Sequence, residues 1–133
     1  MGAELRIPIE TDQDIVTARQ EGRALAEQLS FSTSDLTVLA AAISELARNI
    51  VEYAKRGEVR VSLTERNGRR GVVVVARDDG PGIPDVTLAL QDGYSTSGSL
   101  GLGLPGARRL MDEFEIQSAP GRGTTVTMRK WAR

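Results

Sequence analysis

Val72-Val73-Val74-Val75-Ala76-Arg77-Asp78-Asp79-Gly80-Pro81-Gly82-Ile83-Pro84 is the stretch that decides the fold. Its first five residues are a continuous apolar run, the pattern of a strand central in a sheet. From Asp78 onward it is made of turn formers, with a pair of carboxylates at the strand end. One reading is a strand-ending turn and nothing more. The other is chemical: a carboxylate there can accept a hydrogen bond from an exocyclic amine, and glycines let a flat ring approach the backbone.

Upstream, Asn67-Gly68 is a hairpin turn that joins this strand to another through Val59, Val61 and Leu63. Before that, apolar Leu39, Ile43, Leu46, Ile50 and Ala54 recur at helical spacing and predict one helix from about Ser34 to Lys55, ended by Gly57. On that helix Glu45, Arg48, Asn49 and Glu52 share a face. Such a face is ordinarily solvated surface. Asn49 is its odd member, because Asn is a poor mid-helix residue and its amide oxygen is a hard neutral ligand suited to Mg²⁺. Nearer the N-terminus, Leu5, Ile7 and Ile9 alternate in a strand over Glu4 to Glu10. Thr11 and Asp14 resemble a capping box opening a helix to about Leu29, and Ser32 or Thr33 caps the next.

Downstream, Asp78 to Gly103 is dense in Gly, Pro, Ser and Thr, and a loop that long in a compact domain is usually functional. Gly98-Ser99-Leu100-Gly101-Leu102-Gly103-Leu104 opens a helix predicted over Gly103 to Phe114. Either this is a flexible loop, or its glycines clear the way for backbone N–H groups to reach phosphate oxygens at a helix N-terminus. Gly101-Leu102-Gly103-Leu104-Pro105-Gly106 also matches a dinucleotide-binding fingerprint, but the polar loop before it is no strand. There is no G-x-x-x-x-G-K-[ST] phosphate loop. Gly121-Arg122-Gly123-Thr124, taken alone, is a turn entering the last strand, Thr124 to Trp131. The order β-α-α-β-β-loop-α-β-β predicts a two-layer α/β (α+β) sandwich, a mixed β-sheet with helices on one face.

The 133 residues suit a single domain spanning 1–133. With no Cys and no His, thiol nucleophiles, disulfides, thiolate zinc sites and Ser-His-Asp triads are excluded. Acid–base chemistry falls to carboxylates, Lys or Tyr. Residues 1–54 carry 4 basic and 9 acidic groups, residues 55–133 carry 13 and 9. One Trp, two Tyr and two Phe are scattered and no dense basic stripe accompanies them, which argues against nucleic acid as a partner. No apolar run is long enough for a membrane span, and Met1 to Glu10 lacks signal-peptide layout, so a cytoplasmic protein with no membrane partner is expected.

The helix Glu/Asn pair, the D-x-G-x-G turn, the G-x-G before a helix and the late Gly-Thr occur in the order that marks the GHKL ATPase superfamily with the Bergerat ATP-binding fold, which the chain resembles from about Glu4 to Lys130. Gyrase, Hsp90 and MutL relatives carry large extra domains, and sensor histidine kinases need an appended phosphoacceptor His. The chain instead looks like the bacterial anti-sigma-type serine kinases. Asp92 to Asp112 is most similar to the switch serine/threonine kinases of the stressosome.

That resemblance implies ATP and Mg²⁺ as cofactors. Glu45 matches the proposed general base and Asn49 the Mg²⁺-binding Asn. Asp78 matches the adenine-reading carboxylate, with Gly80 and Gly82 at the base pocket and Thr124 supporting adenine through water. Gly101, Leu102, Gly103 and Leu104 match the segment that cradles the phosphates, and about 85–103 matches the lid. The implied substrates are STAS-domain proteins of the RsbS and RsbR type, and the implied second partner is an RsbU-type phosphatase. Two alternatives stand beside this: an anti-sigma factor kinase that also holds a sigma factor, and a non-catalytic ATP-binding module that signals by docking.

Overall fold

A computed structural model describes residues 4–81 and 104–132. Gly82, Gly101, Leu102, Gly103 and the expected lid lie outside the described residues. Strand β1 (Glu4–Ile9) leads into α1 (Asp12–Ala26) and α2 (Thr33–Asn49), then a π-helical turn (Ile50–Ala54), β2 (Gly57–Arg66) and β3 (Arg69–Asp78). After the segment not described come α3 (Leu104–Leu110), β4 (Glu113–Ser118) and β5 (Thr124–Trp131).

The starts of the helices follow local chemistry. The Asp14 carboxylate accepts the backbone N–H groups of Glu10 and Thr11 at 2.9 and 3.0 Å, so the expected box caps α1. The Ser32 hydroxyl accepts the Asp35 N–H at 3.0 Å and caps α2. Asn67 and Gly68, at φ 54° and 82°, make the tight turn between β2 and β3.

The strands form one sheet in the order β1-β2-β3-β5-β4, with the apolar β3 at its centre as its sequence requires. Every neighbouring pair is antiparallel, which corrects the expected mixed sheet. The reason is topological. β3 and β4 do run the same way, joined by a crossover that includes α3, but β5 lies between them and opposes both. β1 and β2, separated in sequence by α1 and α2, also pair antiparallel.

One face of the sheet carries Ile7, Ile9, Val59, Val61, Val72, Val74, Ala76, Val126 and Met128, all buried beneath the helices. Leu39, Ile43 and Leu46 of α2 fill the layer above them. Each such side chain removed from water contributes roughly 1.5–3 kcal/mol. Gly22 in α1 stands where a Cβ would lie 2.6 Å from the Ile43 side chain, so a small residue brings α1 onto α2. The outer face is polar, with Arg6 paired to Glu4 at 3.4 Å and Arg60 to Glu58.

Two boundaries depart from the sequence reading. The long helix is not uniform: α2 ends at Asn49 and the chain widens into a π turn. The chain leaves that turn at Lys55, with φ 74°, so Lys55 and not Gly57 makes the break. The third helix stops at Leu110, because Phe114 is held in β4 opposite Met128. Among the described residues no helix is long and apolar enough to cross a membrane.

Candidate functional site

The site is assembled where α2 ends over the C-terminal end of β3. Asp78 is the last residue of β3 and continues the core-facing series Val72, Val74, Ala76, so strand alternation puts its carboxylate on the helix side. Burial pushes that carboxyl above the usual carboxylate range, and the neighbouring Asp79 adds to the rise. Backbone hydrogen bonds from Gly80 and Thr124 act against it. The Gly80 N–H donates to Asp78 Oδ1 at 2.9 Å, which closes the turn and orients the carboxylate.

Three glycines make room for this corner. A Cβ at Gly80 would lie 2.6 Å from the Ala54 Cβ, so the strand-end turn packs directly on the π turn. A Cβ at Gly57 would meet the Arg77 carbonyl at 2.4 Å and the Asp78 Cβ at 3.0 Å. Gly123, at φ 76°, would carry a Cβ 2.2 Å from the Asp78 carbonyl. The β4–β5 turn is tied down as well, since the Gly121 N–H donates to the Pro81 carbonyl at 2.7 Å. Sequence reading took Gly57 as a helix stop, Gly123 as turn chemistry and Ala54 as part of the apolar helix stripe. Their role depends on which backbone passes beside them, and a single chain's pattern carries no signal for that.

Thr124 opens β5 opposite Asp78, and its hydroxyl lies 2.8 Å from the Ser118 hydroxyl. Ser118 in turn donates to the Gly123 carbonyl at 3.0 Å. Asp78, Gly80 and Thr124 are therefore brought together, as the sequence reading expects. Leu104 opens α3 with its side chain in the core, so only its backbone is left to meet a ligand.

Glu45 and Asn49 are half-buried on α2, one turn apart, with Asn49 its last residue. Glu45 Oε1 accepts a hydrogen bond from Arg48 Nη1. Glu52, expected on the same face, falls inside the π turn and is exposed, because the wider turn rotates it out of α-helical register. A shallow cleft of about 300 Å³ lined by Pro8, Glu10, Ala54, Arg56, Gly57 and Asp79 lies at this end of the molecule, but it contains none of Glu45, Asn49 and Asp78.

The donor set suits a nucleotide and a hard cation. A strand-end carboxylate held by the Gly80 N–H keeps acceptor capacity for an amine on a flat base. Asn49 offers one neutral oxygen, and the described residues hold no cluster of three or more His, Cys, Asp or Glu. One amide ligand fits Mg²⁺, which usually keeps water and phosphate oxygens around it rather than an all-protein cage.

The chain is similar to known proteins along most of its length. Residues 8–130 match the family described as the histidine kinase-like ATPase domain. The chain is 49% identical over 127 residues to the serine/threonine-protein kinase RsbT of Bacillus subtilis, covering 96% of each. It is 31% identical over 120 residues to an anti-sigma F factor of Caldanaerobacter subterraneus, covering 86% of this chain and 82% of that one. Among solved structures, the mycobacterial sensor histidine kinase MprB superposes with a TM-score of 0.59 at 18% identity, over 97% of this chain and 99% of that one. That likeness concerns the fold alone. The chain belongs to the histidine kinase-like ATPase domain family, the GHKL group to which its ordered motifs point.

Proposed function

We propose that this protein is an ATP-dependent serine/threonine protein kinase of the RsbT type, acting on STAS-domain proteins of the RsbS and RsbR kind in the cytoplasm. The observation that carries the reading is the end-to-end likeness to a serine/threonine kinase. The arrangement of Glu45, Asn49 and Asp78 supports it.

In this reading Asp78 accepts a hydrogen bond from the adenine amine while Gly80 and Gly82 admit the ring. Thr124 supports the base through water. Gly101, Leu102, Gly103 and Leu104 offer backbone N–H groups to the phosphates, and Asn49 holds Mg²⁺, which neutralises phosphate charge. The acceptor hydroxyl oxygen bonds to the γ-phosphorus as the bond to the β,γ-bridging oxygen breaks, and that electron pair leaves with ADP. Glu45 takes the hydroxyl proton and returns it to water.

Phosphorylation of the STAS protein adds charge at the docking surface and releases the kinase, which then engages an RsbU-type phosphatase. The likeness to an anti-sigma F factor keeps a second reading open, a kinase that also holds a sigma factor. Mass spectrometry of a STAS-domain protein incubated with this chain and Mg-ATP tests the first reading, which expects one phosphate on a Ser or Thr. An unmodified STAS protein together with direct binding to a sigma subunit would replace it with the second.

A further inference from the structure

Arg48 stands beside Glu45 and Asn49 on α2, and no step above uses it. Its Nη1 donates to Glu45 Oε1, the second carboxylate oxygen has no partner among the described residues, and the Arg48 side chain is 43% exposed against 20% for Glu45. We propose that Arg48 is a positioning residue for phosphoryl transfer: it pins one oxygen of Glu45 so that the other faces the incoming hydroxyl. The proposal rests on Glu45 being the base.

Three considerations support it. Ion pairs three residues apart on one helix add little to that helix's stability, so stability gives no strong reason for pairing these side chains. A glutamate has three side-chain torsions, and a carboxylate held at one oxygen keeps the other in a restricted range of directions. A guanidinium is a planar fork with fixed donor directions, whereas an ammonium is a point charge, so Arg sets direction where Lys would supply only charge. The phosphoryl-transfer transition state is loose and depends on positioning more than on strong basicity. A base held by a guanidinium meets that need.

Arg48→Met, Arg48→Lys, Glu45→Gln and the double variant Glu45→Gln/Arg48→Met should be compared with the native protein. The assay is phosphorylation of a STAS-domain acceptor with Mg-ATP, with kcat and the KM for ATP measured separately and folding checked by thermal denaturation. Arg48→Met should lose about 10–100-fold in kcat, the scale of a misplaced reacting group, with the KM for ATP nearly unchanged. Arg48→Lys should recover part of the rate. The double variant should be no slower than Glu45→Gln, because residues acting through one another are non-additive.

An unchanged kcat in Arg48→Met overturns the proposal, as does an additive loss in the double variant. A loss seen mainly in the KM for ATP also overturns it, and makes Arg48 a phosphate contact instead. Glu45→Gln turning over like the native protein removes the base assignment and this proposal with it. A slow Glu45→Gln beside a fast Arg48→Met removes the proposal alone.

Discussion

Glu45 and Asn49 sit one turn apart on α2, and substituting them separates chemistry from binding. Glu45→Gln keeps the shape and loses the proton acceptor. It should bind ATP normally and lose about 10²–10⁴-fold in transfer rate, the usual contribution of a positioned base. Near-native turnover at saturating partner would take Glu45 out of that role. Asn49→Ala should weaken Mg-ATP about 10-fold or more while leaving Mg-free nucleotide almost untouched, as expected when a metal contact is lost. Isothermal titration with and without Mg²⁺ reads the difference, and an equal loss in both would make Asn49 structural. Asp78 should select adenine, because guanine presents a carbonyl where the amine belongs and leaves the carboxylate unpaired. ATP should outcompete GTP by at least about 10². Comparable affinities would remove Asp78 as the base reader.

At the scale of elements, the site depends on three segments converging: the π turn after α2, the end of β3 and the turn before β5. Gly123 and Gly121 give a matched comparison, since both have positive φ but only Gly123 has backbone within reach. Gly121→Ala should cost about 1–3 kcal/mol from conformation alone. Gly123→Ala carries the same strain and forces its Cβ against the Asp78 carbonyl, so it should melt several degrees lower still and lose nucleotide affinity. Equal melting temperatures for the two variants would mean that the turn can move off Asp78 at little cost.

For the whole molecule, the carboxylates act in opposite directions on pH stability. Burial raises the Asp78 carboxyl above its unfolded value. Its contribution is therefore fully present below the unfolded value and is lost as pH rises through the folded one. At neutral pH an ionised, half-buried Asp78 opposes folding, in keeping with a site shaped for ligand rather than for stability. Asp78→Asn, which still accepts from the Gly80 N–H, should raise the melting temperature at pH 7 by about 2–4 °C, a size typical of small free-energy changes in domains of this length. The gain should shrink in acid. An Asp78→Asn protein less stable than native at pH 7 would contradict this account. Glu113 does the reverse: hydrogen bonds from the Trp131 indole and Arg66 lower its carboxyl. That stabilisation is present above the unfolded value and disappears as pH falls through the folded one.

The sequence by itself determined the element order, the central place of the Val72–Ala76 strand, the Asn67-Gly68 turn and the Asp14 cap, and it narrowed the second cap to Ser32 or Thr33. The grouping of Asp78, Gly80 and Thr124 came from the family resemblance that the motif order carries, since taken alone each stretch reads as a turn. Tertiary structure decided what depends on neighbours distant in sequence. It placed β5 between β3 and β4, which makes every neighbouring pair antiparallel. It broke the long helix at Asn49 and left Glu52 exposed in the π turn. It set Gly57, Gly80 and Gly123 against other backbone and side chains. The physical reason is the same throughout. Periodicity fixes which way a side chain points from its own element, while packing fixes what stands opposite it.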